Sequence, residues 1–285
     1  MKCEAPGPAF LFCPADRPER FEKAARIADV VLIDLEDGVA PERREVAREA
    51  IRSADFNPDT TIIRVNPAGT DDHQRNVETV AGTGVRKVML AKTGSADEVN
   101  SLAPFEVIAL CESPAGVSAA AEIAACANTI ALMWGSEDLV ASLGGSSSRN
   151  ADGNLSDLSR FARAKVLVDA GAVDVGALDT VFLDFGDLEG LRLEASAAAA
   201  MGFMATPCVH PSQVEVVREA YRPSNRQIVF AQEVLAAAQD RGGVFRLGDV
   251  MVDEPVLLQA RLVLRRAGLL GRDDSVGGQH GQVRS

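Results

Sequence analysis

Apolar positions along this chain gather in eight short continuous runs. They are AFLFCPA at 9–15, VVLIDLE at 30–36, TIIRVN at 61–66, KVMLAK at 87–92, FEVIALCES at 105–113, IALMWG at 130–135, TVFLDF at 180–185 and FMATPCV at 203–209. Continuous runs rich in Val, Ile, Leu and Phe, without polar alternation, are the pattern of strands buried on both faces of a parallel sheet. The segments between them carry helix punctuation. Pro18 sits early in the first, Pro41 opens the second and Pro114 the fifth, where a first turn tolerates a missing N–H. Eight strands with eight crossovers predict an α/β fold, a closed (β/α)8 TIM barrel over residues 1–222. Residues 225–240 and 255–267 predict two further helices joined by DRGGVFRLGDVMVDE, so 223–268 forms a C-terminal helical extension. Residues 269–285, with the polar stretch GRDDSVGGQHGQVRS, read as a flexible tail. The long polar segment ASLGGSSSRNADGNLSD at 141–157 is a loop whose length points to function or mobility.

With 285 residues, of which 47% are hydrophobic and 25% charged, the chain can bury a core of barrel size. No apolar run approaches the roughly 18 residues a membrane helix needs, and the N-terminus lacks an apolar signal core. A cytoplasmic location is therefore expected. The five cysteines are odd in number and scattered without a CxxC pair, the usage of reduced thiols. With only His73, His210 and His280 beside them, they do not suggest a zinc site. A formal net charge of −12 argues against nucleic acid as a partner. It does not exclude a small anion held by local cations and backbone N–H groups.

Chemistry in such a barrel sits at the C-terminal strand ends, so the charges that end apolar runs carry the most information. Glu36 and Asp37 end the second run, Arg64 the third, Lys92 the fourth and Glu112 the fifth. Glu137 and Asp138 follow the sixth, and Asp184 lies in the seventh. Buried charges of this kind need a partner, hydrogen bonds or a metal. Glu112 and Asp138 lie one βα unit apart, on neighbouring strands about 5 Å from each other, where two carboxylates can share a hard cation such as Mg2+. The competing reading is a structural network neutralised by Arg64 or Lys92. Arg64 itself either binds substrate or pairs with Glu36 to close the barrel rim. Glu36 with Asp37 serves as a base, as a helix start before Pro41, or, as we favour, as the group that orients Arg64 or a metal-bound water. Met133 and Trp134 either line the pocket or pack in the core, and Gly135 leaves room for a ligand. His210, before a proline, reads as a turn anchor rather than a base. A Schiff base on Lys92 is the rival to the metal pair.

Taken together, LFCPADRPERFEKAA, VVLIDLEDGVAPERR, IIRVNPAGTDD, IALCESPAGV, MWGSEDLVASLGG, LDFGDLEGL, VHPSQV and MVDEP occur in this order. They closely resemble the citrate lyase β-subunit-like branch of the HpcH/HpaI aldolase family, over roughly residues 8–268 and most strongly in its stand-alone form. The resemblance implies a homotrimer of barrels, with Mg2+ on Glu112 and Asp138 and with Arg64 at the substrate. The implied reaction is reversible cleavage of a carboxylated β-hydroxyacyl-CoA into an acyl-CoA and an α-keto acid. It further implies that Asp253 of MVDEP, in an extension packing on a neighbouring subunit, reaches the thioester enolate. Arg17 is implied near the CoA phosphates, and Glu112, Met133 and Gly135 near the substrate. One departure is visible: a glycine–lysine pair common in relatives is absent from FMATPCVHP, which leaves the acyl or pantetheine specificity open. Two other readings stand beside this one. The first is a class II pyruvate-type aldolase that works without CoA, and the second a subunit active only within a larger complex.

Overall fold

The computed structural model describes residues 5–241 and 243–270; Cys3, His280 and the tail from 271 lie outside the described residues. The chain divides into two compact units, Met1–Ala220 and Tyr221–Ser285.

In the first unit eight parallel strands form one sheet. They are β1 (Ala9–Pro14), β2 (Val30–Asp34), β3 (Thr61–Val65), β4 (Lys87–Leu90), β5 (Glu106–Cys111), β6 (Thr129–Trp134), β7 (Gly176–Leu178) and β8 (Thr206–Cys208). Their order is β7-β6-β5-β4-β3-β2-β1-β8. The ring closes between β7 and β8 through one bridge, Leu178 to Ala205. There the Met204 N–H donates to the Ala177 carbonyl at 2.8 Å and the Asp179 N–H to the Ala205 carbonyl at 2.9 Å. The interior is filled by alternate residues of successive strands, among them Phe10, Val30, Leu32, Ile62, Met89, Ile108, Leu110 and Met133. The other strand face is also buried, with Ile33, Ile63 and Val88 inside, which is why the runs lack alternation. The fold is thus a (β/α)8 barrel. No helix among the described residues is long and apolar enough to cross a membrane.

The seventh strand departs from the sequence expectation. TVFLDF at 180–185 has strand composition but forms a loop in which Leu183 and Phe185 are exposed. The strand is the small-residue stretch Gly176–Leu178, which pairs with Ala131, Leu132 and Met133 of β6. It ends where Asp179 turns its carboxylate into a buried network. The Trp134 indole N–H donates to Asp179 Oδ1 at 2.7 Å. Arg163, from the helix Asp157–Ala172, donates to both Asp179 oxygens, at 3.0 and 2.6 Å. The Arg163 guanidinium also lies over the Phe203 ring, 5.4 Å from its centroid. Trp134 is therefore a fully buried core residue and not a pocket wall. Asp184, expected inside a strand, sits in the loop, where it accepts from the Gly186 and Asp187 N–H groups and shapes a turn.

The second unit pairs the helices Asn225–Asp240 and Glu254–Arg266 around Ala231, Val234, Val252, Ala260 and Leu264. A capping box of Ser224 and Gln227 starts the first helix. The segment joining the helices is a hairpin of β9 (Phe245–Leu247) and β10 (Val250–Val252), two short strands that the sequence reading passes over.

Removing one partner of a buried, hydrogen-bonded ion pair strands the other charge. Asp179→Ala should therefore lower the unfolding free energy by about 3–5 kcal/mol, seen as a shifted urea midpoint at unchanged slope. A change within about 0.5 kcal/mol, the range of an ordinary surface substitution, would show the network to be dispensable.

Candidate active site

The charged strand ends do converge. Beyond the C-terminal ends of the strands lies a cavity of about 360 Å3. Its polar wall holds Asp34, Asp37, Arg64, Glu112, Ser136, Glu137, Asp138 and Thr180. Its apolar wall holds Phe12, Pro14, Leu110, Met133, Val181, Leu183 and Val209, with Gly38 and Gly135 at close approaches.

Arg64 is the most constrained of these side chains. It occupies β3 directly opposite Asp34 of β2. Its Nε and Nη2 donate to the two Asp34 oxygens at 2.7 and 2.6 Å, a bidentate fork. Asp34 also accepts from the N–H groups of Glu36 at 2.9 Å and Gly38 at 2.8 Å. A Cβ on Gly38 would lie 2.4 Å from Asp34 Oδ2, so only glycine lets that loop close over the carboxylate. Below, the guanidinium rests 4.8 Å from the centroid of the Phe12 ring. Burial alone would lower the Arg64 pKa, but Asp34, Glu36 and Glu112 more than reverse this and hold it charged. Asp34 is the functional residue missed in the sequence. Its signal is there: one aspartate inside an otherwise apolar strand, in register with an arginine.

Glu36 is buried on the side of Arg64 away from Asp34. Its Oε2 lies 3.2 Å from Arg64 Nη1 yet has no aligned hydrogen bond, while its Oε1 accepts from the Lys92 ammonium. Burial raises its pKa, opposed by Arg64 and Lys92. The Lys92 ammonium also lies 3.3 Å from Asp37 and 3.5 Å from Asp138. Burial disfavours its charge, but Glu36, Asp138 and Glu112 outweigh that and raise its pKa. A lysine held as a cation in this way is not the neutral amine a Schiff base needs.

Glu112 follows β5 and is buried, with Oε1 accepting from the Lys92 backbone N–H at 3.0 Å. A Cβ on Gly135 would lie 2.7 Å from both the Cβ and Oε2 of Glu112. That glycine thus makes room for the glutamate as well as bordering the cavity. Asp138 comes from the helix Ser136–Ser142 after β6 and lines the same cavity. Burial and the nearby Asp138 push the Glu112 carboxyl up to about 8, against Arg64 and Lys92. Among the described residues no cluster of three or more His, Cys, Asp and Glu is arranged as a metal cage. Two oxygen donors facing open space nonetheless fit Mg2+, which takes one or two carboxylates and fills its other positions with water and substrate oxygens. The raised Glu112 and the Glu36 Oε2 that lacks a hydrogen bond both mark an acidic cluster that its two cations do not fully satisfy. Glu137, beside Asp138, accepts from Ser136 and from Ser148 of the loop at 143–156.

The remaining candidates lie elsewhere. Arg17 is half exposed, 3.8 Å from Asp16, and is not one of the cavity-lining residues. The His210 ring stacks on Phe185 at 5.1 Å, and its Nδ1 meets the hydroxyl and N–H of Ser212, the contacts of a turn anchor. Asp253 belongs to the second unit. It caps the helix Glu254–Arg266 by accepting from the Val256 N–H at 3.4 Å.

A citrate lyase subunit beta-like protein of Mycobacterium tuberculosis is 53% identical over 94% of this chain and 98% of its own. An L-malyl-CoA/beta-methylmalyl-CoA lyase of Cereibacter sphaeroides is 32% identical over 91% of this chain and 94% of its own. The crystal structure of protein CitE from Mycobacterium tuberculosis, in complex with magnesium, acetoacetate and coenzyme A, superposes with a TM-score of 0.90 at 52% identity. It covers 94% of this chain and 100% of that one. Residues 9–211, the whole barrel from β1 to just past β8, match the profile described as HpcH/HpaI aldolase/citrate lyase, and the chain belongs to that family.

Proposed function

We propose that the protein is a Mg2+-dependent carbon–carbon lyase acting on a carboxylated β-hydroxyacyl-CoA of the malyl-, citramalyl- or citryl-CoA type. It releases an acyl-CoA and an α-keto acid, and it also runs the reverse condensation. The observation that carries this reading is the meeting of Glu112, Asp138 and a doubly anchored Arg64 in one cavity. The malyl-CoA lyase relative and the CitE complex with magnesium and coenzyme A support it.

Glu112 and Asp138 are the groups that would hold the metal. When bound, Mg2+ would act as a Lewis acid toward the substrate oxygens and lower the pKa of the β-hydroxyl. Arg64 supplies a permanent positive charge where negative charge develops on the substrate. Its plane is fixed by Asp34 beforehand, so little reorganisation accompanies the reaction. The apolar wall of Phe12, Leu110, Met133 and Val181 excludes water from that charge and strengthens its effect. Glu36 keeps Nη1 of Arg64 turned toward its own side. Gly135 borders the substrate space beside Met133, and Arg17 offers a cation to the CoA phosphates. The enolate left on the departing thioester needs a proton at carbon. We assign that transfer to Asp253, supplied by a neighbouring subunit of a homotrimer; the proton lost from the β-hydroxyl leaves to solvent and balances it, and both transfers reverse in condensation.

Three measurements test this reading. Purified protein with Mg2+ should split malyl-CoA or citramalyl-CoA, and EDTA, Glu112→Ala or Asp138→Ala should each abolish turnover with the fold retained. Full activity under any of these conditions would remove the metal from the mechanism. Arg64→Lys keeps the charge but loses the fork, so kcat/KM should fall by at least about tenfold. If it stays within about threefold of wild type, Arg64 is a structural rim residue. Asp253→Ala should retain Mg2+ binding and lose turnover. Mixing it, under verified subunit exchange, with inactive Arg64→Ala should restore some activity, because certain sites then combine both intact residues. Mixed oligomers as inactive as their parents would rule out a shared site.

A further inference from the structure

Lys92 takes no part in the chemistry assigned above, yet the fold goes to some length to place it. It lies two residues beyond β4 with φ of 50°, the left-handed region that a side chain with a Cβ disfavours. In that conformation both ends of the residue serve the same cluster. Its main-chain N–H donates to Glu112 at 3.0 Å, and its ammonium donates to Glu36. The same ammonium lies 3.3 Å from Asp37 and 3.5 Å from Asp138. An ammonium has three hydrogens, and here three carboxylates surround it, two from the loop after β2 and one from the helix after β6. The Glu36 contact is part-buried, whereas the Asp138 contact is the longest of the three and involves a carboxylate that lines the cavity. Arg64, the one cation among the described residues that lines the cavity itself, is committed to Asp34.

We propose that Lys92 is the resident counter-ion of the metal site. It neutralises Asp138 in the metal-free protein and yields that carboxylate to Mg2+ while remaining on Glu36. It is a positioning residue that sets metal affinity and takes no part in bond cleavage. The inference rests on the reading of Glu112 and Asp138 as the Mg2+ ligands. It accounts for the place of the ammonium, which pairs with Glu36, Asp37 and Asp138 and leaves Glu112 with only a backbone N–H among the described residues. It also favours divalent ions. Replacing one unit charge beside Asp138 by another gains no Coulomb energy, whereas a doubly charged ion does.

The test is calorimetric titration of the full-length, substrate-free protein with MgCl2, comparing wild type with Lys92→Met, Lys92→Gly and Lys92→Arg. Glycine accepts a φ of 50° without strain, so Lys92→Gly remains informative if Lys92→Met misfolds. Deleting a positive charge beside a divalent cation should lower the Kd for Mg2+ by at least about tenfold in both neutral variants. Lys92→Arg keeps the charge and should stay within about threefold of wild type. Equal Kd values across wild type and the neutral variants would overturn the counter-ion role and leave the metal assignment standing. Weaker binding in the neutral variants, or tight binding in Lys92→Arg, would overturn it too. If wild type and all variants fail to bind Mg2+, the metal assignment falls and takes this inference with it.

Discussion

The fork between Asp34 and Arg64 is the constraint around which the barrel mouth is organised. A guanidinium that leaves bulk water must be compensated in place, and a neighbouring strand in register is the most rigid place to put its partner. Once Asp34 is committed to Arg64, it also gathers the N–H groups of Glu36 and Gly38, so the loop after β2 takes its shape from the same carboxylate. Glu36 is then delivered to the other side of Arg64, and Lys92 is drawn to Glu36. The backbone of Lys92 in turn fixes one oxygen of Glu112. One buried ion pair thus sets the positions of a chain of groups that crosses four strands.

Much of this was legible in the sequence. Seven of the eight apolar runs coincide with their strands to within a residue or overlap them fully, because burial on both faces leaves a strong local pattern, as in VVLIDLE and FEVIALCES. The seventh failed because Gly176–Leu178 is held by pairing with β6 and not by its own composition. TVFLDF has the composition without the partner. The hairpin of β9 and β10 was missed for a similar reason, since three-residue strands carry too few positions to show a period.

For the site, charges at and just after the ends of apolar runs point to Glu36, Arg64, Lys92, Glu112 and Asp138; Arg64, Glu112 and Asp138 line one cavity, and Glu36 and Lys92 are bonded to them from behind its wall. Asp34 escapes a search for charges that close apolar runs, because Glu36 closes its run two residues later. It left Trp134 undecided, and the answer depended on Asp179 and Arg163, which come from 45 and 29 residues further along. Tertiary partners of that kind leave no local trace. Glycines are intermediate cases. In the sequence Gly135 reads as space for a ligand, while the neighbour that most strictly requires it is the Glu112 side chain.

The barrel closes with unequal joints. Seven of its contacts are paired strand ladders, whereas β7 and β8 meet through a single bridge. In the ring order, that seam lies opposite the junction of β3 and β4, beside which Arg64 and Lys92 are set. With fewer backbone hydrogen bonds, the seam beside Val181, Leu183 and Val209 is the less restrained arc, and the opposite arc carries the fork of Asp34 and Arg64. Compliance and pre-organisation are thereby divided between opposite arcs of the same ring.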